Sequence, residues 1–278
     1  MKISRHPITP EDIQTRYDTT LKNLPLFLKG AKDNPNNLTL LASNALDVTS
    51  GGSVINPGQP EQTRWLEVAA QAIAGLFTVA AAPGGMAEVY LGAGDPTQYH
   101  RLPDLSLVHA RRWVHGFSIA AISRDVVALD ALCAFPPQKL RSSSTGCHEY
   151  IYQMVDAFRA YWLREPGVDK LLLRAMASTD TNQYEFHNPD YVLRMDVPLI
   201  ELLFYVHRRD PDFETGLLKA IERHKSYWTL DGEKARDWDG FLAFGPLGMA
   251  TLAFIREMPF DVESEYLPMS LVRGDHLS

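Results

Sequence analysis

Apolar residues recur at three- and four-residue spacing along most of the chain, which is the pattern of helices that bury one face. Thr9 stands as a cap, Pro10 lies in the first turn, and Glu11 and Asp12 complement the helix dipole. The stripe Ile13, Tyr17, Leu21, Leu24 and Leu28 follows, with Pro25 predicting a kink or break. A second helix starts at Asn36 or Asn37 and runs through Leu38, Leu41, Ala45 and Leu46, while the Gly and Pro content of residues 51–60 predicts a loop. Residues 61–82 carry the clearest period, with Leu66, Ala69, Ala70, Ile73, Phe77 and Ala80 on a wide buried face, and Pro83-Gly84-Gly85 ends it.

A short strand is expected at residues 87–91, and Asp104 is placed to cap the helix that packs with Leu107, Val114, Phe117 and Ala121. Ser123 precedes a further helix over 124–135, closed by Pro136-Pro137. Residues 138–147 are polar and read as a mobile loop. Beyond them, Ile151, Met154, Val155, Phe158 and Trp162 form a strong stripe, and residues 168–178 a shorter helix. Pro198 opens a helix with Leu199, Leu202, Leu203 and Val206 inward, and Phe213, Leu217, Ile221, His224 and Trp228 step along the next. Residues 240–248 are turn-rich, 249–256 form a short apolar helix, and the tail from Pro259 reads as extended. About ten helices with at most short strand pieces predict an all-α fold. It is read as a single multi-helix globular domain over residues 1–278, with 138–147 the place where a boundary would fall.

A chain of 278 residues can bury a substantial core, and 45% hydrophobic with 22% charged residues excludes wholesale disorder. The first residues lack the apolar run of a secretory signal. The most membrane-like stretch, residues 66–82, contains Glu67 and Gln71 and is too short to span, so a cytoplasmic protein is expected. Two cysteines, Cys133 and Cys147, make neither a disulfide framework nor a metal site and fit a reducing compartment.

Net charge is −7, which argues against direct nucleic-acid binding and permits a cationic protein partner. Residues 231–278 hold nine acids against four basic residues, so they sum to −5 of that charge. Aromatics are interleaved with the acids. Asp231, Glu233, Asp237, Trp238, Asp239, Glu263, Glu265 and Tyr266 are therefore the candidate partner-binding residues, with charge speeding encounter and rings anchoring contact. The same pattern also fits rings that pin the tail to the core beneath water-facing acids.

Catalytic patterns fail one by one. His109 and His115 are six apart and fall on different helix faces, and His148-Glu149 lacks a second histidine at position 152, which is Tyr. His224 sits on an apolar face, where a hydrogen-bonded core histidine is expected. His207-Arg208-Arg209-Asp210 has no upstream Gly-rich loop, Gly92-Ala93-Gly94 lacks its third glycine, and Ser142-Ser143-Ser144 has no nucleophile elbow. No catalytic residue, metal site or cofactor is predicted. Asp180, Glu185, His187 and Asp190 gather in one loop with Tyr184 and Phe186, which leaves an all-helical metal-dependent hydrolase as the alternative. A regulatory scaffold that binds a small ligand between helices is a third reading.

Three segments together resemble the bacterial immunity protein 49 family. The first is residues 64–92, with Trp65-Leu66, an alanine-rich helix and a Gly-rich turn into Val89-Tyr90-Leu91. The second is residues 113–132, where an aromatic-opened helix reaches Arg124-Asp125, and the third is Glu263-Ser264-Glu265-Tyr266-Leu267-Pro268. The resemblance covers residues 36–272 and implies a cytoplasmic, non-enzymatic inhibitor encoded beside its toxin. That toxin would commonly be a nuclease delivered by type VI secretion, whose basic phosphate-binding cleft an acidic inhibitor would occlude stoichiometrically. Because the resemblance includes Glu263–Pro268 as a docked element, residues 231–239 become the freer candidate for contact.

Overall fold

The computed structural model describes residues 2–182 and 188–275. It is mainly α-helical, with only short strand pieces. The chain divides into two units by its internal contacts: a continuous one, Thr9–Cys147, and a discontinuous one, Met1–Ile8 with His148–Ser278. The sequence contributes 22 acidic and 16 basic residues to the discontinuous unit, a net −6, against 12 and 11 in the continuous one. Strand β1 (Lys2–Ile3) opens the discontinuous unit.

In the continuous unit, α1 (Pro10–Asp33) starts at Thr9 with Pro10 in its first turn. It runs unbroken through Pro25, which points outward, and buries Ile13, Tyr17, Leu24 and Ala31. Helix α2 (Leu38–Ile55) continues through Gly51 and Gly52, where composition predicts a loop. Packing overrides propensity here. A Cβ on Gly52 would stand 2.8 Å from Gln62 Cγ, so the bare backbone is what lets α2 approach α3 (Pro60–Ala81).

Helix α3 is buried on nearly every side, from Trp65 and Leu66 to Phe77 and Val79, and forms the axis of this unit. Strands β2 (Ala87–Val89) and β3 (Thr97–Tyr99) pair antiparallel, and the Tyr99 hydroxyl donates to the Ala31 carbonyl at 2.6 Å. Helix α4 (Ala110–Ser123) presses Gly116 on Ile73 of α3, where a Cβ would lie 2.5 Å from Ile73 Cγ2. Asp104 caps a 3-10 turn at Leu105–Leu107, and α4 itself is capped by His109, whose Nδ1 accepts from the Arg112 amide.

Helix α5 (Val126–Ala134) is capped by Asp125, whose Oδ1 accepts from the Ala128 amide at 2.8 Å. Cys133 is buried within α5, while Cys147 is half-buried. The stretch 138–147 contains helix α6 (Pro137–Arg141), which buries Leu140, and then Thr145, whose Oγ1 donates to the Ser106 carbonyl at 2.7 Å.

The discontinuous unit is built on α7 (Glu149–Trp162), α8 (Val168–Ala177), α9 (Pro189–Tyr191), α10 (Val197–Arg208), α11 (Phe213–Trp228) and α12 (Phe244–Ile255). A π turn over Val192–Asp196 leads into α10, and Asp196 within it is buried with its Oδ2 accepting from the Tyr150 hydroxyl at 2.6 Å. Helix α12 begins five residues earlier than the apolar run suggests, because Gly245, Pro246 and Gly248 are accommodated in its first turns. The stretch Trp238–Ile255 is long and apolar enough to cross a membrane by length and composition, but 78% of it is buried, as in a core segment. The tail then forms β4 (Glu263–Ser264), which pairs in parallel with β1, and closes with α13 (Met269–Arg273).

Candidate functional site

The acidic segment folds as two short turns written by its aspartates. Asp231 Oδ1 accepts from the amides of Glu233 (3.0 Å) and Lys234 (2.8 Å), and its Oδ2 meets Lys234 Nζ at 2.8 Å. This hydrogen bond with Lys234 lowers the Asp231 pKa and raises that of Lys234. Asp237 repeats the device, with Oδ1 accepting from the Asp239 amide at 3.1 Å. Asp231, Glu233, Asp237 and Asp239 are all exposed. Lys234 and Arg236 interrupt them, so the local excess is smaller than the tail total implies.

The two aromatic members of the predicted surface lie elsewhere. Trp238 is 2% exposed and packs 6.0 Å from Phe241, and Tyr266 is fully buried. Neither ring can anchor a partner, because alternating acid and aromatic residues here put the rings inward and the carboxylates outward. The exposed apolar side chain next to the acids is Leu230. Glu263 and Glu265 are exposed, and both lie beside the N-terminal segment. Glu263 is in register with Lys2, and Glu265 Oε2 accepts from the Arg5 amide at 3.0 Å while its carbonyl accepts from Arg5 Nη2 at 2.6 Å.

Beneath the acids lies a cluster of which the sequence signals only His224, the hydrogen-bonded core histidine expected on its apolar face. His6 and His224, 3% and 2% exposed, both pack on Tyr266. His6 Nε2 lies 2.9 Å from the Ala235 carbonyl, and its Nδ1 lies 2.7 Å from the Tyr266 hydroxyl. A carbonyl only accepts, so Nε2 carries the proton and Nδ1 accepts from Tyr266. The Tyr266 oxygen in turn accepts from the His6 amide at 3.0 Å, which completes a closed set. His224 Nε2 donates to the Gly240 carbonyl at 3.1 Å, and its Nδ1 is buried without a partner.

Both rings are thereby selected in the neutral form. Burial is the main cause that lowers the His6 pKa, and it pushes His224 down to about 4. Gly240 is required where it stands, since a Cβ would lie 2.7 Å from Trp228 Cγ. Lys225 Nζ also donates to the Ser4 carbonyl at 2.8 Å, fastening the N-terminal segment to α11.

The described residues on either side of the competing loop make local turns. Asp180 Oδ1 accepts from the Asn182 amide at 2.9 Å, Asn188 Oδ1 from the Tyr191 amide at 3.0 Å, and Asp190 pairs with Arg194 at 3.1 Å. Tyr184, Glu185, Phe186 and His187 lie outside the described residues. His148 stacks on Tyr150 at the start of α7, with ring centroids 6.2 Å apart. Among the described residues, no group of three or more His, Cys, Asp or Glu side chains converges as a metal site would require.

No curated protein and no solved structure matches the chain. The model of the immunity protein 49 family does match, over residues 57–271, and that span contains α3, the Arg124-Asp125 step and the Glu263–Pro268 element. With more than three quarters of its length matched, the chain belongs to the immunity protein 49 family.

Proposed function

We propose that this immunity protein neutralises its cognate toxin in the cytoplasm by covering the toxin's active cleft, one inhibitor to one toxin. The toxin would be a basic nuclease delivered by type VI secretion. The exposed carboxylates of Asp231, Glu233, Asp237 and Asp239 would meet its cationic cleft, with Leu230 as the apolar contact beside them. The observation that carries this reading is the placement of charge: a net −6 resides in the discontinuous unit, and these four acids stand exposed on it. A nuclease cleft must concentrate Lys and Arg to hold phosphate, so an acidic inhibitor both steers to it and occupies it.

Co-expression with the toxin encoded by the neighbouring gene tests the proposal. Rescue of growth and a co-purifying complex whose on-rate falls with salt are expected. Charge reversal at Glu233 and Asp237 should slow association at least tenfold. An unaltered rate, or a complex insensitive to salt, overturns the assignment of this surface.

A further inference from the structure

We propose that His6, His224 and Tyr266 form a clasp that sets the conformation of the acidic segment, so that the N-terminal strand is a positioning element of the partner-binding surface. The inference rests on the functional reading above for its purpose, while its geometry stands apart from it. Residues 231–240 form short turns, with the Ala235 amide bonded to the Asp231 carbonyl and the Gly240 amide to the Asp237 carbonyl. Turns of this kind exchange freely unless something holds them from below.

Two carbonyls of the segment are held from below. His6 donates to Ala235 and His224 donates to Gly240, at 2.9 and 3.1 Å; Ala235 lies midway between the exposed Glu233 and Asp237, and Gly240 follows the exposed Asp239. Tyr266 is the shared anvil, bonded to His6 and packed edge-on to His224 with ring centroids 5.0 Å apart. His6 reaches this position because β1 is laid against β4 and the Ser264 hydroxyl donates to the Ile3 carbonyl at 2.8 Å. Residues 2–8 lie outside the span matched by the family, whereas Ala235, Gly240 and Tyr266 lie within it.

Hydrogen exchange of the full-length protein at neutral pH tests the clasp without any partner. His6→Ala should raise exchange about tenfold at the amides of Ala235, Arg236, Asp237 and Gly240, while amides of α10 and α11 keep their protection. His6→Gln, which can still donate to the Ala235 carbonyl, should restore most of the protection. Tyr266→Phe keeps the ring and serves if His6→Ala fails to fold, with the same local acceleration expected. Unaltered exchange at 235–240, or acceleration spread equally through α10 and α11, overturns the clasp. In a second arm, the toxin of the neighbouring gene should bind His6→Ala about tenfold more weakly and His6→Gln nearly normally. If charge reversal at Glu233 and Asp237 leaves binding unaltered, the surface reading fails, and the exchange result still decides the clasp.

Discussion

Acidification should weaken the discontinuous unit through His224, and the size of the effect follows from its surroundings. The ring is 2% exposed, its Nε2–H is committed to the Gly240 carbonyl, and its Nδ1 faces no acceptor. The groups near it are Tyr266, Trp228, His6 and Arg5, and the last two are or can become cationic. A proton added to Nδ1 would be buried without a partner and repelled by those neighbours. The folded-state pKa of about 4 lies below the 6.5 of an unperturbed imidazole. A depressed folded value means that the stabilisation is complete above pH 6.5 and is lost as pH falls from there towards 4. Between pH 7.5 and 5 the loss from this residue alone is about 2 kcal/mol, and it reaches roughly 3 kcal/mol below pH 4. His6 is shifted in the same direction and adds to it.

Urea unfolding of the protein and of His224→Gln at the two pH values measures this directly. The variant should be less stable at pH 7.5 yet lose about 2 kcal/mol less on going to pH 5. NMR titration of the ring protons should place the His224 midpoint near 4. A midpoint near 6.5, or an identical pH loss in both proteins, refutes the reasoning.

Other substitutions probe the packing. Gly116→Ala should destabilise the continuous unit by about 1–3 kcal/mol in denaturant unfolding, because its methyl would meet Ile73 Cγ2 at 2.5 Å within a packed helix pair. Asp125→Ala removes the cap of α5 and should cost about 1 kcal/mol in the same assay. Pro25→Ala should raise the melting temperature, since Pro25 sits inside a continuous helix with its ring exposed and withholds one amide donor. A lowered melting temperature would mean that Pro25 restrains the unfolded chain more than it burdens the helix.

Much of the helical framework was legible in the sequence because burial writes itself as a period. Leu66, Ile73 and Phe77 located α3, and Phe213, Leu217, Ile221, His224 and Trp228 located α11, down to the histidine on its buried face. Legibility failed where a neighbour decides. Gly51 and Gly52 are loop residues by propensity, yet both are helical, and at Gly52 the Gln62 side chain occupies the space that a Cβ would need. Trp238 and Tyr266 looked available for contact because a non-periodic tail carries no record of which side faces water. His6 was invisible for a simpler reason: its partner Tyr266 lies 260 residues away, and no local pattern reports a contact of that separation. The acids were visible as charge, but the pairing of Asp231 with Lys234 and of Glu265 with Arg5 was not.

The pairing of β1 with β4 also has a consequence for the order of events during synthesis. Residues 2–8 leave the ribosome before residues 9–147, and the strand and tyrosine that receive them follow only some way after, 260 residues separating His6 from Tyr266. The whole of residues 9–147 is made in the interval, so the continuous unit has its full sequence available while the discontinuous one cannot close. A chain released before Tyr266 therefore lacks the acceptor for residues 2–8. In a cell that depends on this protein for protection, the proposed binding surface would be completed only on chains translated as far as Tyr266.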